Sequence, residues 1–570
     1  MTPRPARRAL GASGLLLLAL GAPGCTVFTD YNETTAEARG AFVAGDFDRA
    51  LAGYEEHLED ANDGLLYHLE GGLVAHVGGR WDRSIALLKV AYDRIDRYQE
   101  GALQGAGDVA RTVGSILVNE KTLPYVGETF EQVLLQGYQA RNRFLAGQRD
   151  AVLPEVLRTY DIQRRAREIF EAELEATERA ARDEGDQVDQ DGVVREMRRT
   201  YDYGDLTGAE SVFEIRWLRY LDAWLREATS TRQEDYNAAW IDLQFVADVF
   251  GHVPFVQRDL VRMQAASGDR AGAREAAQRF GLAPLPRDAG SVAVFFECGL
   301  APRKRQVKVL LPTYRGVAAI AMPRYEAVPN PATGVVLELG GERAQTVVLS
   351  DVEAIAFRYH RDRLPLLIAK QIIRLAVKVA IQVGGDAALR NNAGRDGWLA
   401  GAAFSVGMSI WNVVSEQADL RAWRTLPQTL QATRVYVPAG TYPARLVLVG
   451  RGGGKLAEVD LGTITVAAGK HRMINARSLG ARLFAQVPAE PYDGRGPPAG
   501  PARQDLRRPD AQGPGGAPRV GPGEARTPPA EAPPAEAPPA EAPPAEAPPA
   551  EAPPAEAPPA PETTDHPGPQ

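Results

Sequence analysis

Gly45-Asp46-Phe47, followed by Ala50 and Tyr54, recurs 34 residues further on as Gly79-Arg80-Trp81, followed by Ser84 and Leu88. That offset is the tetratricopeptide period, in which the glycine sits in the turn between two helices and the aromatic two residues on packs between them. Gly147, Val152 and Val156 fall two further periods along, and Gly268, Ala273 and Ala277 give an out-of-phase copy. Around these marks, from about Asn32 to Phe280, apolar residues recur at three and four in a background of Ala, Leu, Glu and Arg. Such spacing predicts stacked amphipathic helices. The alternative is a helical bundle in which the 34-residue spacing arises by chance.

Toward the N-terminus, Arg4, Arg7 and Arg8 precede the apolar run Leu15 to Leu20, which ends in Gly21-Ala22-Pro23-Gly24-Cys25. A basic head, a short apolar stretch and small residues before a cut are the marks of a secretory signal, and the stretch is too short for a permanent span. The expectation is a lipoprotein-type signal peptide over 1–24, with Cys25 the lipidation site, although Ala22 stands where lipoprotein signals usually carry Leu. Ordinary cleavage without lipidation is the alternative. The second cysteine, Cys298, lies in an apolar run, so acylation of Cys25 would leave it no intramolecular partner.

The chain of 570 residues is long enough for two or more folded domains, and its 44% hydrophobic content is ordinary for globular protein. Residues 25–285 are read as a tetratricopeptide-like helical domain with an exposed polar connection at about 181–208. There Asp189, Asp191 and Gly192 match three positions of a calcium loop, but Gln187 and Arg198 fall where calcium needs carboxylates.

After Ala283-Pro284-Leu285-Pro286 the pattern shifts to short β-type runs: Val292 to Phe296, Val307 to Leu311, Val317 to Ala321, Val335 to Leu339 and Thr346 to Leu349. Ser350-Asp351-Val352-Glu353 reads as a capping box with Ser350 as the cap. The helix it opens breaks near Pro365 and resumes through Ile381, and Trp398 to Val414 reads as a buried helix. Further strands follow at Thr433 to Val437, Ala444 to Val449, Glu458 to Leu461, Ile464 to Val466 and Arg472 to Asn475. Hairpin turns are expected at Pro438-Ala439-Gly440 and Gly450 to Gly454. Residues 288–485 thus form one expected α+β domain. The predicted fold class is multidomain: all-α tetratricopeptide-like repeats, an α+β domain, and a disordered Pro/Ala/Glu tail over 490–570. The tail holds six copies of Glu-Ala-Pro-Pro-Ala from Glu531 to Ala560, with no large apolar side chain to bury. As polyproline II it would reach roughly 90 Å.

Residues 501 to 570 carry five Arg, no Lys and eleven Asp plus Glu, which is −6 of the formal −8. The rest is nearly neutral, so the basic footprint of a nucleic-acid binder is absent. Catalytic patterns are thin. His57, His68, His76, His252, His360, His471 and His566 show no metal-ligand spacing with a second His or a Cys. Arg451-Gly452-Gly453-Gly454-Lys455 lacks the ending and following helix of a phosphate loop and reads as a hairpin turn. No metal and no cofactor is expected. Lys370, Arg374 and Lys378 lie four apart on an otherwise apolar helix, the pattern of a core helix with one solvated edge or, alternatively, of an interfacial helix. In the repeat groove, Thr35, Arg39, Phe42, Leu69, Leu73 and His76 are the candidate partner-binding residues, since stacked helix pairs present regularly spaced side chains there.

Three blocks carry a resemblance: Asn119 with Tyr125-Val126-Gly127-Glu128 and Tyr138-Gln139-Ala140-Arg141-Asn142; Leu349-Ser350-Asp351-Val352-Glu353-Ala354-Ile355-Ala356; and Ser415-Glu416-Gln417-Ala418-Asp419 with Arg421, Trp423, Leu426 and Pro427. Over most of 30–480 the chain resembles a family of uncharacterised bacterial tetratricopeptide-containing envelope lipoproteins. The resemblance implies architecture and location but no reaction. In some genomes such lipoproteins look like companions of activators of cell-wall synthases. Thr26 after the cysteine is similar to outer-membrane sorting signals.

The expected function is therefore a non-enzymatic scaffold, lipid-anchored on the periplasmic face of the outer membrane. It would bind a protein partner through its helical repeats, meet the membrane through its N-terminal lipid and lie near peptidoglycan, with no nucleic-acid partner. One alternative is a cell-wall or lipid hydrolase using Glu416, Asp419, Arg421 and His471. Another is a spacer between membrane and peptidoglycan.

Overall fold

The computed structural model describes residues 31–104, 123–184, 189–313, 316–375 and 418–489. The chain divides into two units at Gly496/Pro497, and all described residues belong to the first. The signal segment, Cys25, Trp398 to Val414 and the Pro-rich tail lie outside the described residues.

Helices α1 (Ala36–Ala44) and α2 (Phe47–Glu55) form a first hairpin, and α3 (Gly64–Val77) and α4 (Trp81–Gln104) a second. The turn glycines adopt left-handed backbone, Gly45 at φ +84° and Gly79 at φ +73°, a conformation that carries little steric cost only without a Cβ. The equivalent positions Ala50 and Ser84, Tyr54 and Leu88, are all fully buried. A third hairpin joins α5 (Thr129–Leu145) to α6 (Val152–Glu184) through Gly147, φ +77°. Helices α8 (Arg216–Thr229), α9 (Gln233–Phe250), α10 (Pro254–Ala266) and α11 (Arg270–Arg279) complete the layer.

The polar stretch expected as an exposed connection holds a helix, α7 (Gln190–Thr200), capped by Asp189, which accepts from the Gly192 amide. Val193, Met197 and Tyr201 bury its inner face. Three apolar residues at intervals of four suffice to dock a helix whose composition is otherwise polar.

The strands are β1 (Gly290–Cys298), β2 (Arg303–Thr313), β3 (Gly316–Glu326), β4 (Ala332–Leu339), β5 (Glu342–Gln345), β6 (Val347–Asp351), β7 (Thr429–Val437), β8 (Gly440–Gly450), β9 (Lys455–Val466), β10 (His471–Leu479) and β11 (Arg482–Gln486). They form a five-stranded sheet ordered β11-β10-β1-β7-β6, a four-stranded sheet ordered β5-β4-β8-β9, and a β2–β3 ribbon. All nine residues of β1 are buried. Its alternate residues face opposite ways: Ala293 and Phe295 join the core shared with the helices, while Val292, Val294, Phe296 and Cys298 join the core between the two sheets. The order of layers is thus helices, five-stranded sheet, four-stranded sheet.

Several boundaries differ from the sequence reading. The helical and α+β segments do not have separate cores, because one cluster runs from Tyr31 through Leu73, Trp217 and Trp224 to Phe295, Trp423 and Met473. Pro438-Ala439-Gly440 is not a hairpin turn, since β7 and β8 lie in different sheets. The two runs at Glu458 to Leu461 and Ile464 to Val466 are one strand, β9, with Gly462 at φ +67° beside a register shift. The turn at Gly450 to Gly454 is a hairpin as expected. Short β5 and β11 carry no run of alternating hydrophobicity long enough to predict. Helix α12 (Val352–Asp362) begins one residue later than read: Asp351 caps it by accepting from the Ala354 amide, 3.0 Å, while Ser350 accepts from the Trp217 amide, 2.9 Å. A further helix, α13 (364–375), follows directly, with Pro365 in its first turn.

Asp351→Ala should cost about 1 kcal/mol, the usual worth of an N-cap, whereas Ser350→Ala, which strands a buried amide, should cost about 1–3 kcal/mol. Urea denaturation of both variants checks the order.

Candidate binding site at the helix–sheet junction

Helix α5 is the central member of the helical layer, and only Thr129 and Arg143 of its residues escape burial. It nevertheless carries Glu131, Gln132, Gln136, Gln139, Arg141 and Asn142, all buried. A buried polar group without a partner is costly; Arg141 is met by residues of the sheet and Glu131 in part by the segment before β7, while Gln132, Gln139 and Asn142 find partners on the helical side.

At its C-terminal end, Arg141 Nη1 donates to Glu297 Oε1 at 2.6 Å and Arg477 Nη1 donates to Glu297 Oε2 at 2.9 Å. His76 Nε2 lies 3.4 Å from Glu297 Oε1, and His76 Nδ1 is 2.6 Å from Asn142 Oδ1. Burial opposes the Glu297 charge, but His76, Arg141 and Arg477 hold its carboxyl well below the usual range.

At its N-terminal end, Glu131 accepts from the Glu128 amide at 2.9 Å, from the Trp423 amide at 2.8 Å and from the Tyr125 hydroxyl. Burial and the neighbouring Glu128 charge push the Glu131 pKa up to about 7. Glu128 itself is ion-paired with Lys304 of β2. Burial works against that charge, yet Lys304 and Arg363 bring the Glu128 pKa down to about 2.

Beside this end of α5 opens a cavity of about 320 Å³. Ile169, Phe170 and Leu367 line an apolar wall, and Glu128, Lys304, Glu173, Lys370, Arg363, Asp419 and Arg421 a charged one. Lys370 pairs with Glu173 at 2.8 Å and Arg421 with Asp419 at 2.7 Å. His360, also on the lining, is pushed down to about 3 by burial.

The candidate groove residues lie elsewhere. Thr35, Phe42, Leu69, Leu73 and His76 are buried and Arg39 is half-buried. Thr35 Oγ1 donates to the Tyr31 carbonyl, Arg39 to the Asn32 carbonyl, and Arg477 lies over the Phe42 ring. These six do not form an open groove, because the sheet and the segment before β7 fill the face they line. Gln486 donates to the Val77 carbonyl, and Glu70 accepts from the amides of Arg424 and Thr425.

Nor do the four residues considered for hydrolysis assemble. Glu416 lies outside the described residues, Asp419 and Arg421 pair with each other, and His471 bonds Ser291 and Arg434 and lies 3.3 Å from Glu227. Lys370 is used at the cavity, with Ile372 and Ile373 of the same helix in the core; Lys378 lies outside the described residues. Cys298 is buried among Asn330, Ser478 and the Ala332 carbonyl. Among the described residues, no group of three or more His, Cys, Asp or Glu has the arrangement of a metal site.

Sequence reading missed Glu297, Glu131, Lys304 and Arg363. Glu297 had a signal, a lone carboxylate inside the apolar run from Val292 to Cys298, where a charge must be paired to be buried. The other three sit in ordinary mixed sequence and are joined only by the tertiary fold. Parts of the three resemblance blocks do come together: Trp423 packs against the Tyr138 ring and Arg421 covers the Tyr125 ring, while the Val352 amide donates to the Gln428 carbonyl just past Pro427. No family model, curated protein or solved structure matches the chain.

Glu297→Gln should destabilise the fold by about 3–5 kcal/mol, because it leaves Arg141 and Arg477 buried without their counter-charge; chemical denaturation measures it. The pH dependence has a defined sign. His471, pushed down to about 3 by burial from an ordinary value of 6.5, contributes stability that is complete above pH 6.5 and is lost as pH falls toward 3. Glu131, raised from 4.5 to about 7, acts oppositely, its contribution being complete below pH 4.5 and lost as pH rises through 7. Between pH 4.5 and 6.5 the stability of His471→Gln should therefore decline less steeply on acidification than that of the unaltered protein, by about 1.4 kcal/mol per pH unit, measured by urea titrations across that range.

Proposed function

We propose that the protein is an exported lipoprotein, acylated at Cys25 and held on the periplasmic face of the outer membrane, whose folded body is a non-catalytic protein-binding scaffold. Export is supported by Arg4, Arg7 and Arg8 ahead of the apolar run and the small residues before Cys25. No helix among the described residues is long and apolar enough to cross a membrane, and in this reading the acyl group is the anchor. The helix hairpins turning at Gly45 and Gly79 support the tetratricopeptide-like reading, and with it membership of the envelope lipoprotein family that the chain resembles.

The observation that carries the scaffold reading is the engagement of three buried carboxylates at the helix–sheet junction. Glu131, Glu297 and Glu70 each receive two or more donors from neighbouring elements. A general base or nucleophile needs a lone pair facing its substrate, whereas these lone pairs hold the helical layer to the sheet. The inner helical face being covered, the partner surface lies on the outer helices, where Leu157, Ile241 and Val249 remain 59%, 54% and 47% exposed. Apolar side chains left outward on helices suit contact with another protein.

Two measurements test this. Labelling with a fatty-acid analogue should mark the wild type and not Cys25→Ala, and label retained on the variant would overturn the anchor. A photo-crosslinker placed at Val249 in intact cells should give a discrete adduct that Ile241→Glu abolishes without changing the melting temperature. An adduct insensitive to that change would remove the outer helices as the partner surface.

A further inference from the structure

We propose that the junction cavity is a binding site for a small organic anion, which places its carboxylate or phosphate on Arg363 and its apolar body against Ile169, Phe170 and Leu367. The cations lining the cavity are unevenly paired. Lys304 pairs with Glu128, Lys370 with Glu173, and Arg421 with both Asp419 and Asp63. Arg363 is the fourth cation, and its carboxylate neighbours stand off, Glu128 at 3.7 Å and Glu173 at 3.8 Å. Its hydrogen bond goes instead to the Tyr359 hydroxyl. Those carboxylates are already engaged by lysines, so the guanidinium keeps donors suited to a planar or tetrahedral oxyanion.

A second feature points the same way. Gln99, 1% exposed, donates through Nε2 to Gln132 at 2.8 Å, while its Oε1 is buried and finds no donor among the described residues. A ligand hydroxyl or amide would satisfy it. The apolar wall excludes a bare inorganic ion as the best fit, because Ile169, Phe170 and Leu367 are left only partly covered, and the cavity volume of about 320 Å³ is within the range of small-molecule pockets. This site is distinct from the outer-helix surface proposed for a protein partner and stands whether or not that surface is used.

Isothermal titration of the full chain with phenyl phosphate, 4-hydroxybenzoate, p-cresol and inorganic phosphate tests the proposal. The two organic anions should bind saturably at one site, with p-cresol and inorganic phosphate at least tenfold weaker. Arg363→Met should weaken both organic anions at least tenfold and leave p-cresol unchanged. Gln99→Leu should weaken 4-hydroxybenzoate more than phenyl phosphate, which has no hydroxyl to give. Arg361→Met, which removes an exposed cation two residues earlier, should change nothing. Leu367→Trp fills the apolar wall and should abolish binding while keeping every charge, which covers the case in which Arg363→Met does not fold. Absence of saturable binding by either organic anion, undiminished affinity in Arg363→Met or Leu367→Trp, or equal affinity for inorganic phosphate or p-cresol would overturn it.

Discussion

A single carboxylate, Glu297, sits next to the C-terminal end of the largely apolar strand β1 and is 1% exposed. Such a charge is tolerable only with close counter-charges and filled lone pairs. Arg141 from the helical layer and Arg477 from the neighbouring strand supply them, with His76 alongside. Arg141 is then committed as well, its second nitrogen bonding the Phe295 carbonyl. Because the three elements must all be in place before any of the charges is neutralised, the cluster fixes how α3 and α5 sit on the sheet, where apolar packing alone would allow sliding.

The same logic recurs around the junction. Arg434 reaches Glu227 and Asp259 from β7, and Tyr220 and Tyr436 donate to Asp259. Glu131 and Glu70 each accept backbone amides of the segment before β7. Apolar burial supplies the bulk of the cohesion in this three-layer arrangement, while the ionic contacts specify which helix meets which strand. That division explains why a layer built from helix hairpins, a form often used for open grooves, here presents its inner face to a sheet.

What the sequence made legible follows from locality. The hairpin glycines Gly45 and Gly79, the strands with alternating or continuous apolar runs, and the turn at Gly450 to Gly454 depend on residues a few positions apart, and they were readable. The parallel pairing of β1 with β10, the passage of the chain between sheets at Pro438 to Gly440, and the covering of Leu69, Leu73 and His76 depend on residues hundreds of positions apart, and nothing local announces them. The cap shows the limit most sharply. Ser350 and Asp351 are equally good acceptors in sequence, and the choice between them was made by Trp217, more than a hundred residues upstream. At the cavity, Arg363 resembles its neighbour Arg361 in every local respect; only the packing of α5, α6 and β2 around it distinguishes the two.

The strand order has a consequence for how the chain reaches its final form. β1 lies between β7 and β10, so its two edges are closed by segments made more than a hundred residues later. Until those arrive, the helical layer has emerged with the apolar side chains of α3 and α5 uncovered, and the central strand has unpaired backbone on both sides. Such an intermediate is sticky and slow to resolve, since distant loops must close before the contacts form. For a polypeptide delivered N-terminus first, this places the risky interval late.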